Sequence, residues 1–269
     1  MMSLKETLLA IRANSFLAPP HAFELALEMV THIGSTDPQL RDELIYSTFS
    51  HWIEEGVLSP EQLQELLAIA LDDQHLFYRI GESGTDSVFT RSFSVLLLPL
   101  ILILHRNHPF LAKEAILYLK DKLFAYIRQE TDLRGYVDEK GWAHATAHAA
   151  DALDDLAQCS ELDQTDLKQI LGVIRETITG AKSVYAYEED ERLVTAALSA
   201  WNRDELSLDD IDGWVRSFAN RLDSGYSIEA YTGRINMKNF LRSLYYRIHD
   251  QEKYKRIAAT LLPLSAQRA

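Results

Sequence analysis

Four side chains able to do acid–base or metal chemistry stand in one short stretch: His144, His148, Asp151 and Asp155, within Gly141-Trp-Ala-His-Ala-Thr-Ala-His-Ala-Ala-Asp-Ala-Leu-Asp-Asp-Leu-Ala157. Read as a helix, at about 100° per residue, they fall within an arc of roughly 60°, one above another over three turns. Leu153, Leu156 and Trp142 take the opposite side. Seven alanines lie among them, so neighbouring elements can approach closely and the polar stripe is expected to border a partly enclosed cleft.

Two histidines four residues apart project both imidazoles from one helix face, a spacing suited to a divalent metal. Position 145 is alanine, so the general-base glutamate of a His-Glu-x-x-His protease is missing. The stripe cannot hold one ion unaided, because about 10.5 Å of helix rise separates His144 from Asp151. A metal site needs His144 and His148, or His148 and Asp151, plus a carboxylate from another helix, with Glu189 and Glu191 as the candidates. A metal-free alternative pairs His148 with Asp151: the carboxylate orients the imidazole and raises its pKa, making it a general acid or base. Arg91 or Arg192 then holds an anionic part of the ligand. Ser87, Ser92 and Ser94 offer hydroxyls, but no Gly-x-Ser-x-Gly elbow is present, which argues against serine hydrolase chemistry. The third reading is structural, with Asp151 and Asp155 pairing with arginines in a buried polar ladder, since buried ionic groups are costly unless paired.

The elements that must position these groups all read as helices. Residues 4–13 and 22–32 form two, separated by Pro19-Pro20. Asp37-Pro38 is an N-cap followed by proline at the first helical position, opening a helix that ends near Gly56. Ser59-Pro60-Glu61-Gln62 repeats that signal with a capping-box glutamine. Gly81 to Ser87 is a loop, Val95 to Leu104 a buried apolar helix, and residues 110–130 an amphipathic one. Arg134 to Gly141 is a turn into the alanine-rich helix. Asp163–Thr179, Glu189–Asn202, Leu208–Leu222, Asn236–Asp250 and Gln251–Leu264 complete the set, with capping rather than calcium binding as the role of Asp209 and Asp210. No segment shows sustained strand alternation.

These helices pair, and the pairs recur. Polar residues near the start of each first helix are Arg41, Arg91, His144, Arg192 and Asn239, at intervals of 50, 53, 48 and 47. That period fits HEAT-like or armadillo-like helical hairpins. The expected fold is all-α: one domain over residues 1–269, a right-handed α-α superhelix of about five repeats, with residues 1–35 as an N-terminal helical cap. First helices of such repeats line a concave face. Arg41, Asp42, Arg91, Ser94, Trp142, His144, His148, Asp151, Arg192 and Asn239 are therefore the candidate ligand contacts, joined by Glu191 and Arg242.

Composition narrows the partners. A net charge of −13 argues against nucleic acid and against an anionic membrane surface. Cys159 is alone, which gives no sign of an oxidising compartment. The first residues lack a long apolar run, and the run at Val95–Leu104 is about half the length that crosses a bilayer, so the expected location is the cytoplasm.

Several segments together resemble an uncharacterised bacterial family, domain of unknown function 2785. They are Ser35-Thr-Asp-Pro-Gln-Leu-Arg-Asp42, Ser87-Val-Phe-Thr-Arg-Ser-Phe-Ser94, Arg134-Gly-Tyr136, Gly141 to Asp151, and Glu189-Asp-Glu-Arg192. The resemblance runs from about residue 35 to the end and implies a helical, repeat-like fold without an assigned activity. The function expected is binding of a peptide or small polar ligand in a groove centred on His144, His148 and Asp151. The alternatives are a hydrolase-like or other enzyme using that cluster, with a divalent metal at His144 and His148 as the possible cofactor, and a protein–protein adaptor in which the ladder is structural.

Overall fold

Helix signals in the chain decide most of the architecture of the computed structural model, which describes residues 2–219 and 227–266. Ser3 and Glu6 form a capping box at the start of α1 (Leu4–Ala13), and α2 is Ala22–Thr31. Asp37 caps the next segment through its side chain, which accepts from the backbone of Gln39 at 3.0 Å and Leu40 at 3.3 Å. That segment, Gln39–Tyr46, is wound as a π-helix and continues into α3 (Ser47–Glu54). Gly56, at φ +66°, ends it in the left-handed conformation that glycine adopts without strain. The capping box of Ser59 and Gln62 opens α4 (Pro60–Ala70).

The apolar run belongs to a longer helix than expected, α5 (Ser87–Asn107), with Pro99 inside it. Among the described residues it is the one helix long and apolar enough to cross a membrane, and 78% of its most apolar stretch is buried inside the protein. After α6 (Lys113–Gln129) the chain departs from the expectation of a turn into one long helix. Tyr136–Val137 (β1) and Gly141–Trp142 (β2) pair as a short antiparallel hairpin, and α7 begins only at Ala145, ending at Ala157. Gly141 and Trp142 are strand residues, and His144 precedes the helix.

The remaining helices are α8 (Gln164–Gly180), α9 (Glu189–Asn202), α10 (Leu208–Arg216), α11 (Ile228–Ile248) and α12 (Lys255–Ser265). Asp209 and Asp210 sit in the first turn of α10, where Asp210 and Ser207 form a capping box. α10 stops at Arg216, short of the expected end; Leu222 lies outside the described residues. α11 starts eight residues before Asn236, capped by the Ser227 side chain, and Gly233 within it is a packing residue: a Cβ there would stand 2.7 Å from the Thr179 carbonyl of α8. The chain is mostly helical, as an all-α protein should be.

The residues group into two compact units, Met1–Ala152 and Leu153–Ala269, with the boundary inside α7. In the first, α5 packs on α3 and α4, and Leu44, Phe49, Trp52, Phe89, Leu98 and Leu102 are fully or almost fully buried. In the second, α11 packs on α8, α9 and α12 around Trp201, Phe218 and Phe240. Trp201 and Trp214 meet edge to face at 5.9 Å, and the Trp214 indole N–H donates to the Leu171 carbonyl at 2.7 Å.

Candidate functional site

The hairpin and the first turn of α7 create the site in the first unit. Lys140 N–H donates to the Val137 carbonyl at 3.0 Å across a turn in which Glu139 has φ +65°. Beyond β2 the pairing continues irregularly: Ala143 N–H donates to Gly135 at 2.8 Å, and His144 N–H to Arg134 at 3.1 Å. His144 itself has φ +49°, a left-handed conformation that costs a non-glycine residue about 1 kcal/mol or more. Its carbonyl then accepts the first helical bond of α7, from His148 N–H at 2.9 Å. Val88, Phe89, Ala143 and Ala145 form a buried apolar cluster, with Val137 packed against it.

This backbone course stacks four rings in a ladder. Tyr136 meets Trp142 edge to face at 5.2 Å, Trp142 lies flat on His144 at 4.4 Å, and His144 meets His148 edge to face at 5.9 Å. Phe93 closes the inner end at 5.2 Å from His148. Tyr136 and Trp142 are 49% and 40% exposed, whereas His144 and His148 are buried. The expected i, i+4 pair on one helix face is therefore corrected: His144 lies outside the helix, turned by its own φ onto the Trp142 ring.

His148 is oriented by a backbone group. Its Nδ1 lies 3.1 Å from the Ser92 carbonyl. A carbonyl oxygen only accepts, so Nδ1 carries the proton and the neutral ring presents Nε2 as its acceptor. At Nδ1, then, the orienting partner is the Ser92 carbonyl. Asp151 is partly buried one turn along α7, and Asp155 falls in the second unit. Among the described residues, no group of three or more His, Cys, Asp or Glu side chains is placed to hold a metal ion.

Two of the arginines expected to meet a ligand, Arg41 and Arg91, are buried and bonded within the protein. Arg41 is fully buried, and every guanidinium nitrogen is engaged. Nε and one terminal nitrogen donate to Asp42 at 3.0 and 3.2 Å, the other to the Ser35 carbonyl at 2.6 Å, and a further bond reaches the Lys140 carbonyl at 2.7 Å. Its plane also lies over Phe89 and Phe93, 4.3 and 4.7 Å from their centroids. Burial pulls the Arg41 pKa down while Asp42 pushes it back up; the same burial raises the Asp42 carboxyl, against the pull of Arg41. Gly141 is required beside this pair. Its φ is +78°, and a Cβ would sit 3.0 Å from Pro38 and 3.2 Å from the Arg41 guanidinium.

Arg91 is likewise fully buried. It grips Glu130 bidentately at 2.6 and 2.9 Å and donates to the Tyr78 carbonyl at 3.0 Å, the Ser87 hydroxyl at 2.8 Å and the Glu82 carbonyl at 3.2 Å. Asp132, also buried, accepts from Gly84 N–H at 2.9 Å and from Arg134 at 2.7 Å. Together these bonds tie the Gly81–Ser87 loop to the chain after α6. Ser94 is buried too, with its hydroxyl donated to the Thr90 carbonyl at 2.6 Å.

Of the ten expected contacts, Arg41, Asp42, Trp142, His144 and His148 come together. Arg91 and Ser94 lie on α5 with bonds of their own, Asp151 is partly buried on α7 one turn beyond His148, and Arg192 and Asn239 belong to the second unit, described by itself. Sequence reasoning missed Glu130 as the partner of Arg91 and Tyr136 as the outermost ring. The signal for Tyr136 was present in Arg134-Gly-Tyr, three residues whose carbonyls and ring meet Trp142, Ala143 and His144. Four of the five segments that carry the family resemblance meet here: 35–42 through Arg41, 87–94 through Phe89, Ser92 and Phe93, 134–136, and 141–151. No curated protein and no solved structure matches the chain. The family model described as protein of unknown function DUF2785 matches residues 76–246, well over half the chain and a span that takes in α5, the hairpin and α7. The chain belongs to that family.

Proposed function

We propose that this is a helical-repeat binding protein whose recognition element in the first unit is the ladder of Tyr136, Trp142, His144 and His148. Its ligand is a small polar molecule or a peptide with a flat group to lay on Trp142. One observation carries the reading: two exposed rings stand on two buried imidazoles, held in place by a residue in a costly backbone conformation. Such strain persists where the surroundings enforce it, and binding sites are where it collects. Aromatic rings with one face packed and the other wet supply contact area at little entropic cost. Saturation of Arg41 removes it from ligand contact but makes it the support on which the hairpin rests.

The HEAT-like or armadillo-like repeat is part of the same proposal. It rests on the intervals near 50 residues, and it is supported inside each unit by the packing of alternate helices, α3 on α5 and α9 on α11. The cytoplasmic location rests on the single buried cysteine. Thermal-shift screening with short peptides, amino acids, nucleosides and sugars tests the binding reading. At least one class should raise the melting temperature of the wild type and fail to raise that of Trp142→Ala. A shift that survives this substitution, or no shift from any class, defeats it.

A second reading, an acid–base enzyme, is favoured by the Ser92 contact, which fixes the His148 tautomer with Nε2 as a proton acceptor. In its metal-assisted version the ion sits on His144 and His148, with the remaining ligands from water or substrate. Elemental analysis of untagged protein separates the two versions. Without a stoichiometric metal, and with no thermal shift on adding zinc or manganese, the metal version is lost.

A further inference from the structure

The second unit holds a cavity of about 360 Å³ between the first turn of α9 and the C-terminal half of α11. Asp190 and Glu191 line it from α9, facing Asn239, Arg242 and Arg247 on α11. Its four charges are two of each sign, and they are unequally engaged. Glu191 and Arg247 approach to 3.5 Å and satisfy one another. Asp190 has no cationic side chain within ion-pair distance among the described residues; its side-chain neighbour is the Ser243 hydroxyl, at a long 3.5 Å. Burial pushes its carboxyl above the ordinary value, with Glu191 and Glu189 adding to it, against hydrogen bonds from its own backbone N–H and that of Glu191. Arg242 is exposed and has no carboxylate in reach among the described residues, and the half-buried Asn239 amide has no hydrogen-bond partner there.

A carboxylate without a cationic partner on one wall, and a guanidinium without a carboxylate beside an amide on the other, define what fits between them. A purely anionic ligand would bring its charge beside Asp190 and Glu191, and a purely cationic one beside Arg242 and Arg247. A ligand carrying both charges completes both walls and leaves the net charge of the cavity unchanged. We propose that this cavity binds a free α-amino acid: its ammonium on Asp190, its carboxylate on Arg242 and Asn239, and its side chain against Tyr246. The Tyr246 ring is 70% exposed and lines the same cavity, leaving a face for an apolar or aromatic side chain. This site is separate from the ladder of the first unit and shares no residue with it.

Isothermal titration of the full chain with free L-amino acids, each beside its N-acetyl and carboxamide derivatives, tests the proposal. At least one free amino acid should bind, and blocking either end should weaken it tenfold or more. Arg242→Ala and Asp190→Asn should each weaken it to the same degree, while Trp142→Ala leaves it unchanged, which keeps this site distinguishable from the first. Arg242 is exposed, so its variant folds and carries the test if Asp190→Asn does not. The proposal is overturned if no free amino acid binds at millimolar concentration, if blocked forms bind as well as free ones, or if Arg242→Ala retains wild-type affinity.

Discussion

Arg91 and Arg242 are the same residue type on helices of the same length, α5 and α11, each of 21 residues. Arg91 is wholly enclosed and spends its donors on Glu130, Ser87 and three backbone carbonyls. Arg242 faces a cavity and meets no carboxylate among the described residues. The difference teaches that arginines on comparable helices do not share one role. Where a loop folds over the helix, as Gly81–Ser87 does over α5, the guanidinium becomes the loop's anchor. Where an open cavity lies beside it, the same group stays exposed without a carboxylate partner among the described residues.

That contrast can be broken most forcefully at Arg91. Arg91→Ala leaves the Glu130 carboxylate, 4% exposed, buried without its partner. Losing one member of a buried pair costs about 3–5 kcal/mol, so chemical denaturation should show a loss of that order. Arg242→Ala, by contrast, should change stability by no more than about 0.5 kcal/mol, as exposed sites do. Equal losses at the two positions would dissolve the distinction. Gly141→Ala falls between them: a left-handed alanine pressed on Pro38 and Arg41 should cost about 1–3 kcal/mol, read as a lowered denaturation midpoint. If Gly141→Ala is silent, the hairpin is not held against Pro38 and Arg41 as tightly as the 3.0 and 3.2 Å approaches require.

Much of this was legible beforehand, for reasons that can be stated. Caps act over three or four residues, so Asp37, Ser59 and Ser207 marked helix starts correctly. The hairpin was not legible, because β1 and β2 are two residues each, too short for alternation to register. Without the hairpin, the spacing extends the helix back through His144, which instead stands just before it and accepts its first helical bond. The roles of Arg41 and Arg91 were hidden for a different reason. Their partners, Lys140 and Glu130, lie 99 and 39 residues away, and nothing local distinguishes an arginine that will be enclosed from one that will not. The repeat phase picks out Asn239, with Arg242 as its neighbour on the helix, and both line one cavity.

The finest test of the contrast between enclosed and open groups is set within one segment of the first unit. Asp37 and Asp42 stand five residues apart, yet their pKa values move in opposite directions. The bond from Lys5 leads the causes that hold Asp37 below its ordinary value, with the capped backbone N–H groups adding to it. For Asp42 burial dominates, and the carboxyl is raised in spite of Arg41. The signs follow from proton linkage. A lowered carboxyl stabilises the fold above its unfolded pKa, and that contribution is lost as pH falls through the folded value; a raised one favours the fold most when protonated, and its contribution declines as pH rises from the unfolded value through the folded one. Asp37→Asn should therefore narrow the stability gained by the wild type between pH 3 and pH 6. Asp42→Asn should widen it, because the residue that opposes the gain is gone. Carboxyl titration by NMR assigns the two directions independently. If Asp42 titrates below Asp37, then Arg41 outweighs burial at this pair, and the guanidinium is better hydrated than its enclosure by Phe89, Phe93 and the hairpin implies.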